Sequence, residues 1–160
     1  MSTADAPLPA APDVPGEAPH MLVVRAPYYR EVIDGMTEGA LRILANAGAT
    51  HEILDVAGSF ELPQAIRIAL RGTQRFDGFV ALGAIVRGGT DHYDHICRET
   101  MAGLMNVALQ FGVALGSGVL TVHSIEQALA RSGAGVHNKG AEAAAAALLQ
   151  VAAARRFGAV

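Results

Sequence analysis

One stretch in the middle of the chain could both bind an anion and move a proton. Residues 82–95 read LGAIVRGGTDHYDH, an apolar run that stops at an Arg-Gly-Gly-Thr turn and continues with helix-like spacing. A buried parallel strand that ends in a glycine turn before a helix has this pattern. The free amides of such a turn and the positive end of the helix dipole favour an anion, phosphate above all. His92 would lie beside that anion, and histidine exchanges protons near neutral pH.

These residues also have structural interpretations. Gly88 and Gly89 could form only a tight strand-to-helix turn, and His92 could be a solvated or capping residue. A metal could be suggested by His92, His95 and Cys97 together. Cys97 would point away from the two histidines on a helix, however, and no carboxylate clearly completes a site, so we expect no metal. Cys97 is expected to pack rather than to act as a nucleophile.

Further polar or glycine-rich clusters follow the other predicted strands, at residues 28–29, 58–61 and 121–123. Because the carboxyl ends of parallel strands share one edge of a sheet, one ligand could touch several of them. Glu61 could equally be a first-turn acid that favours its helix dipole.

Two basic residues flank a loop before the last predicted helix. Arg131 and Lys139 are the natural cationic partners of an anion. On local grounds alone, either could instead be an ordinary surface charge.

Strands and helices are predicted to alternate four times. Apolar runs predict strands at 21–26, 53–56, 79–86 and 115–122. Helices are expected between Tyr29 and Gly48, from Pro63 to near Gly72, after the glycine turn to Phe111, at 125–131 and from Asn138 to about Phe157. Within this last helix, the alanine run at 143–147 is expected to be a packing surface. This alternation predicts an α/β fold, with a four-stranded parallel sheet flanked by helices on both faces.

The composition favours a single enzyme-sized domain behind a short tail. The chain has 160 residues, is 51% hydrophobic and contains no tryptophan. Residues 1–19, rich in proline and alanine, are predicted to be a disordered tail before one domain at 20–160. A net charge of −3 gives no support for nucleic-acid binding. A single cysteine excludes an internal disulfide and is typical of the cytoplasm.

A charge-free stretch at residues 100–125 is long enough to span a membrane. Polar residues interrupt it, and Gly112, Gly116 and Gly118 would break a single helix. A buried helix followed by a buried strand explains the stretch better, so we expect no membrane association. No signal peptide is visible either, because the first 20 residues contain no lysine or arginine.

Taken together, these motifs resemble those of the lumazine synthase family over about residues 18–157. The matching segments, in order, are GSFELP at 58–63, LGAIVRGGTDH at 82–92, GVLT at 118–121, IEQA at 125–128 and NKG at 138–140. Each is weak alone, but their order and spacing make the resemblance strong.

The resemblance implies a flavodoxin-like three-layer α/β subunit whose active sites lie between neighbours in a ring of five. It also implies the penultimate step of riboflavin biosynthesis. In that step, 5-amino-6-(D-ribitylamino)uracil condenses with 3,4-dihydroxy-2-butanone 4-phosphate to 6,7-dimethyl-8-ribityllumazine, with release of water and phosphate. The family uses no cofactor and no metal.

The same resemblance assigns roles to individual residues. His92 matches the proposed general acid/base, and Tyr28 the aromatic residue that stacks on the pyrimidine. The segment that holds the ribityl chain corresponds to Ser59, Phe60 and Glu61, and the segment beside the ring to Ala84, Ile85 and Val86. The phosphate-binding turn corresponds to Gly89 and Thr90, with Arg131 reaching in from a neighbouring subunit and Lys139 near the site.

Two positions depart from the family pattern. Ser117 stands where many members place a large aromatic or apolar residue against the heterocycle, so packing on the ring should be weaker. Ala57 replaces a common proline and would loosen its loop. The short loop at 131–139 resembles that of capsid-forming members, so the resemblance leaves two alternative assemblies, a homopentamer and a 60-subunit shell.

Two other protein classes fit parts of the pattern. A flavin- or lumazine-binding module would keep Tyr28 and Phe60 but need not keep His92, Thr90 and Arg131. A structural shell protein would keep the subunit interfaces without an anion site. The joint presence of the polar residues favours the enzyme.

Overall fold

The computed structural model describes residues 8–135 and 137–159, and it contains a four-stranded parallel sheet. The predicted tail residues 1–7, Val136 in the loop at 131–139, and Val160 lie outside the described residues. The strands are β1 (His20–Arg25), β2 (Thr50–Asp55), β3 (Gly78–Val86) and β4 (Ala114–Val122). They are arranged in the order β2-β1-β3-β4, with every neighbouring pair parallel. The predicted parallel sheet is confirmed.

Helices cover both faces of this sheet. They are α1 (Arg30–Asn46), α2 (Leu62–Ala69), α3 (His92–Phe111), α4 (Ile125–Leu129) and α5 (Lys139–Phe157). Strand alternation divides the core, because Met21 and Val23 of β1 pack with α1 and α5, whereas Leu22 and Val24 pack with α2 and α3. The result is the predicted three-layer α/β sandwich.

Two boundaries differ from the prediction by three residues: β2 begins at Thr50 rather than Ile53, and α2 ends at Ala69 rather than near Gly72. This strand lies at the edge of the sheet, and all six of its residues are exposed. A polar, exposed start carries no apolar signal, so hydrophobic patterning does not detect it. The short helix α4 also ends earlier than predicted, at Leu129.

Helix α5 lies directly on β4 because the residues between them are small. A Cβ atom added to Gly116 would overlap the carbonyl oxygen of Ala143. The alanines Ala143, Ala144 and Ala147 are buried against the sheet. The close backbone approach predicted at Gly116, and the alanine run as a packing surface, are both found here.

Residues 8–19 contain no helix or strand and run along the surface of the core. Ala11 and Val14 pack against the apolar cluster beneath α1 and α5. The Nη1 group of Arg155, near the end of α5, donates hydrogen bonds to the carbonyl oxygens of Pro15 (2.8 Å) and Glu17 (2.6 Å). The guanidinium of Arg155 also pairs with Asp77 at 3.0 Å and so links this segment to the start of β3.

The charge-free stretch at 100–125 forms the rest of α3, a turn and β4, as predicted. Among the described residues, no helix is both long and apolar enough to cross a membrane.

The strand order creates a crevice beside the centre of the sheet. From β1 the chain crosses to β2 on one side, and from β3 it crosses to β4 on the other. Ligands of open α/β sheets bind at such a switch point, outside the carboxyl ends of the two central strands. The crevice beyond Arg25 and Val86 is therefore where a ligand is expected.

Candidate active site

A pocket of about 410 Å³ lies in this crevice. It is lined by Tyr28, Tyr29, Gly58, Ser59, Phe60, Glu61, Ala84, Ile85, Val86, His92 and Ile96. Its volume suits a small organic ligand, and its walls combine apolar surface with a few polar groups. The structure thus brings together the predicted residues that follow β1, β2 and β3.

Two tyrosines after β1 form one rim of the pocket. Backbone hydrogen bonds from Ala26 to Leu82 (2.9 Å) and from Tyr28 to Ala26 (2.8 Å) fix the chain as it leaves the sheet. The rings of Tyr28 and Tyr29 meet edge to face, with centroids 6.1 Å apart. Because Tyr28 is 65% exposed, its ring is available to stack on a planar ligand.

Tyr29 has an unusual backbone, with φ 54° and ψ 64° in the left-handed region. A bulky residue in such a conformation costs about 1–3 kcal/mol, and such strain collects at binding and active sites. Its carbonyl oxygen accepts hydrogen bonds from the amides of Val32 and Ile33, which begin α1. The sequence places Tyr29 in the cluster at residues 28–29 that a ligand could touch, but it assigns a binding role only to Tyr28.

A short 3-10 turn, Ser59–Glu61, forms the wall after β2. Ser59 is buried against β3, where a Cβ atom added to Gly83 would lie 2.7 Å from the Ser59 hydroxyl oxygen. The Glu61 carboxylate folds back toward Gly58, within 3.2 Å of where a Cβ atom would stand. The turn therefore presents a hydroxyl and a carboxylate, both of which can bond a polyhydroxylated ligand.

The floor of the pocket is the end of β3, and the glycine turn continues from it. Ala84 and Ile85 are buried, whereas residues 87–92 are exposed. Within residues 8–135 and 137–159, the amides of Gly88, Gly89 and Thr90 donate to no protein acceptor. These amides lie just before the N-terminus of the 20-residue helix α3, where an anion is stabilised.

His92 is the first residue of α3 and lines the pocket directly. Gly89 and Thr90 belong to the turn immediately before it and are not among the lining residues. A histidine side chain therefore lies between the pocket and the glycine turn. Ile96, one helical turn after His92, adds apolar surface that sequence analysis did not select.

The remaining predicted residues lie outside this pocket. Ser117 is exposed on β4 and lines a separate groove of about 400 Å³, with Met101, Met105 and Leu109 of α3 on its other side. Hence one copy of the chain does not bring Ser117 to the tyrosines.

Arg131 and Lys139 lie next to each other but away from the pocket. The amide of Lys139 donates to the carbonyl oxygen of Arg131 at 2.8 Å, which closes the loop between them. The Arg131 guanidinium donates to the carbonyl oxygen of Gln127 at 2.8 Å. The Lys139 ammonium pairs with Glu142 at 2.5 Å.

Two polar side chains lie behind the glycine turn on the first turns of α3. Burial raises the pKa of the Tyr93 phenol, and nearby Cys97 raises it further. Burial likewise raises the pKa of the Cys97 thiol. Both groups are therefore neutral near pH 7, and Cys97 lacks the lowered pKa of a nucleophilic cysteine.

A second concave surface, of about 770 Å³, lies between residues 15–16 and the end of α5. Its lining is mostly apolar, with Arg155 and Arg156 but without histidine, serine or carboxylate. In the described part of the chain, no three histidine, cysteine or acidic side chains lie close enough to hold a metal ion. The crevice at the switch point is therefore the candidate site.

Comparison with known proteins gives a consistent result over nearly the whole chain. The family profile described as 6,7-dimethyl-8-ribityllumazine synthase matches residues 18–155. The chain is 43% identical over 144 residues to 6,7-dimethyl-8-ribityllumazine synthase 1 of Rhizobium meliloti, which covers 88% of this chain and 94% of that protein.

Two further relatives agree. The 6,7-dimethyl-8-ribityllumazine synthase of Paramagnetospirillum magneticum is 41% identical over 144 residues, covering 86% of this chain and 96% of that protein. The synthase 1 of Rhodopseudomonas palustris is 39% identical over 156 residues, covering 95% of this chain and 94% of that protein.

Proposed function

Because this chain belongs to the 6,7-dimethyl-8-ribityllumazine synthase family, we propose that it performs the family's condensation in the crevice between β1 and β3. The reaction joins 5-amino-6-(D-ribitylamino)uracil to 3,4-dihydroxy-2-butanone 4-phosphate and releases water and phosphate. One observation supports this site above all. A single pocket places exposed aromatic rings, a hydroxyl, a carboxylate and a histidine beside a turn with unpaired amides.

Each wall of the pocket suits one part of the two substrates. The Tyr28 ring stacks on the planar pyrimidine, while Ser59 and Glu61 bond the hydroxyls of the ribityl chain. Phe60, Ala84, Ile85 and Val86 supply the apolar surface around the ring. The amides at Gly89 and Thr90, before the N-terminus of α3, hold the phosphate.

His92 stands where proton transfers must occur. The amine attacks the ketone, an imine forms with loss of water, phosphate leaves and the second ring closes. Nearly all of these steps move a proton, and the leaving group is an anion. A positioned general acid/base contributes about 10²–10⁴-fold, whereas holding two reactants together supplies about 7–11 kcal/mol. Positioning should therefore contribute more than proton transfer.

We also propose that Ser117, Arg131 and Lys139 act in the pocket of a neighbouring copy. Within one copy these residues are directed elsewhere, and a backbone hydrogen bond from Lys139 to Arg131 holds the two residues close together. Exposed apolar side chains support an interface, since Met105 is 58% and Leu109 75% exposed on α3. The assembly proposed is a homopentamer, or a 60-subunit shell built from pentamers.

We base the proposed cell compartment and partners on the same assignment to the family's reaction. The enzyme works in the cytoplasm on small-molecule substrates, without a cofactor, a metal, nucleic acid or a membrane. Cys97, a free thiol, is suited to a reducing compartment.

Lumazine formation, followed by absorbance and fluorescence with both substrates, tests the function. The uncatalysed condensation is subtracted, because these substrates can react slowly without enzyme. Saturable acceleration that falls in Arg131→Ala supports both the reaction and the phosphate site. Absent acceleration with tight riboflavin or lumazine binding would identify a binding module instead. A protein with neither property, but with an intact assembly, would be a shell protein.

A further inference from the structure

The glycine turn that precedes His92 receives almost no support from packing. Cβ atoms added to Gly88 or Gly89 would meet nothing within 4 Å. Residues 87–91 are all exposed. Glycine has more backbone freedom than any other residue, so two adjacent glycines in open space need a restraint to hold one shape. That restraint must come from the ends of the turn.

The Arg87 side chain reaches from one end of this turn to the other. At the end of β3, its amide donates to the carbonyl oxygen of Val122 at 2.9 Å. Its Nη2 group donates to Asp94 Oδ1 in the first turn of α3 at 2.6 Å. Between these contacts, its guanidinium lies 4.5 Å from the centre of the Tyr93 ring. Arg87 therefore fastens the end of the strand to the start of the helix that carries His92.

This ion pair is poorly suited to stabilising the whole fold. The side chains of Arg87 and Asp94 are 41% and 46% exposed. Exposed pairs of this kind contribute little to the free energy of unfolding. A close and well-aligned contact at such a place has its main effect on the local shape of the turn.

We propose that Arg87 is a positioning residue, which uses Asp94 and the Tyr93 ring to hold the turn so that its amides converge on the substrate phosphate. The proposal rests on the proposed function, because it takes the phosphate site to be this turn. Arg87 acts through Asp94 rather than by contacting the phosphate itself. Positioning of the turn and direct binding of the phosphate predict different effects of substituting Asp94 on the KM for the phosphate substrate.

Asp94→Asn separates the two mechanisms. If Arg87 positions the turn, the loss of the carboxylate loosens it, and the KM for the butanone phosphate rises about 3- to 30-fold. The KM for the pyrimidine and the melting temperature stay close to wild type. If Arg87 were a direct phosphate ligand, removing its carboxylate partner would free it, and the KM for the phosphate substrate would fall or stay unchanged. Either of these two results overturns the proposal.

A double-mutant cycle tests whether the two residues act as one unit. Arg87→Ala combined with Asp94→Asn should raise the KM no further than the more damaging single substitution. Arg87→Lys should restore part of the loss, because it keeps the charge but not the planar contact with Tyr93. Fully additive effects in the double variant would contradict the proposal.

The chain contains a matched control. Arg25 Nε lies 2.6 Å from Asp55 Oδ1, between the ends of β1 and β2, and neither residue lines the pocket. Asp55→Asn removes an ion-pair contact of the same length, although Arg25 is 22% exposed and keeps Asp34 as a second partner at 3.4 Å. We expect it to leave both KM values unchanged. A rise in the phosphate KM equal to that of Asp94→Asn would show a general charge effect and overturn the proposal.

Binding of inorganic phosphate, measured by calorimetry, separates this proposal from the proposed function. If the wild-type protein forms no lumazine but binds phosphate more tightly than Asp94→Asn, the function fails and the positioning role stands. If it forms lumazine and both proteins bind phosphate equally well, the function stands and the positioning role fails.

Discussion

Two sides of the sheet carry the residues proposed to act together, and only one side is assembled within a single copy. At the carboxyl ends of β1 and β3, side chains from four chain segments converge on one pocket. On the β4 and α5 side, Ser117 faces a different groove, and Arg131 and Lys139 bond to Gln127 and Glu142. The first side forms a pocket within one copy, and the second side is proposed to contribute to the pocket of a neighbouring copy.

The difference shows which residues the strand order brings together within one copy and which it does not. Parallel strands bring their carboxyl ends to one edge, so every residue just after β1, β2 or β3 is near the others. The loop between α4 and α5 instead packs against α1, where Asn138 Nδ2 donates to the carbonyl oxygen of Gly35 at 2.8 Å. The proposed contact between Arg131 and the phosphate therefore requires a second copy of the chain.

The largest expected effect lies in the assembled half of the site. His92→Ala should lower kcat about 10²–10⁴-fold without abolishing turnover, because substrate positioning remains. Steady-state kinetics with both substrates measures this effect. His95→Ala is the control, since His95 is exposed on the same helix and does not line the pocket. A His92→Ala variant at full wild-type rate would remove His92 from the mechanism.

The second largest effect is expected at Arg131, which is proposed to act in the pocket of a neighbouring copy. Arg131→Ala should raise the KM for the butanone phosphate about 10- to 100-fold, because a charge-assisted hydrogen bond to the phosphate is lost. The KM for the pyrimidine should change far less. Arg71→Ala, which removes an exposed arginine after α2, should have no effect on either KM.

Mixing two variants tests directly whether one site takes His92 and Arg131 from different copies of the chain. His92→Ala and Arg131→Ala subunits, unfolded and reassembled together, should form some sites with His92 from one copy and Arg131 from its neighbour. With random mixing, about one site in four is intact, so activity at low butanone phosphate should exceed that of either parent. Activity that merely averages the parents would mean that each site draws both residues from one copy.

A smaller effect is expected at the strained tyrosine. Tyr29→Asn relieves a left-handed backbone that asparagine tolerates, so the free energy of unfolding should rise by about 1 kcal/mol. Loss of the ring should raise the KM for the pyrimidine about 2- to 10-fold. Chemical denaturation and kinetics measure the two changes. Tyr29→Phe keeps both the strain and the ring and should match wild type in each.

The smallest effect is expected at Ser117. Ser117→Phe supplies the large side chain that the family often has there, and it should lower the KM for the pyrimidine about two- to fivefold. Ser117→Ala is the matched control, with no added ring surface. Tighter binding by the phenylalanine variant only in the assembled oligomer would place Ser117 beside a neighbour's pocket, and tighter binding by a separated subunit would contradict that placement.

The sequence predicted most of the fold because apolar runs and glycine turns report directly on buried strands and on strand-to-helix connections. Each strand except β2 begins within one residue of its predicted start. Hydrophobic patterning does not detect the start of β2, because an exposed edge strand needs no apolar residues.

The site was predicted unevenly for a related reason. Residues that directly follow strands, such as Tyr28 and His92, are located by the sheet alone. Tyr29 belongs to the predicted cluster at residues 28–29 but received no role of its own, and nothing in a tyrosine predicts its left-handed backbone. Ser117 and Arg131 are proposed to act across an interface between copies, and no pattern within one chain reports on the geometry of such an interface.

The contacts of Arg155 have a consequence for the order in which this protein folds. The segment at residues 15–17 is fastened by a side chain that lies 140 positions later than Pro15 in the chain. A ribosome therefore exposes this segment long before its anchor exists, and the sheet can form while the segment is still loose. Docking of residues 8–19 is thus expected to be a late event, and amide exchange should show it to be among the first regions to open.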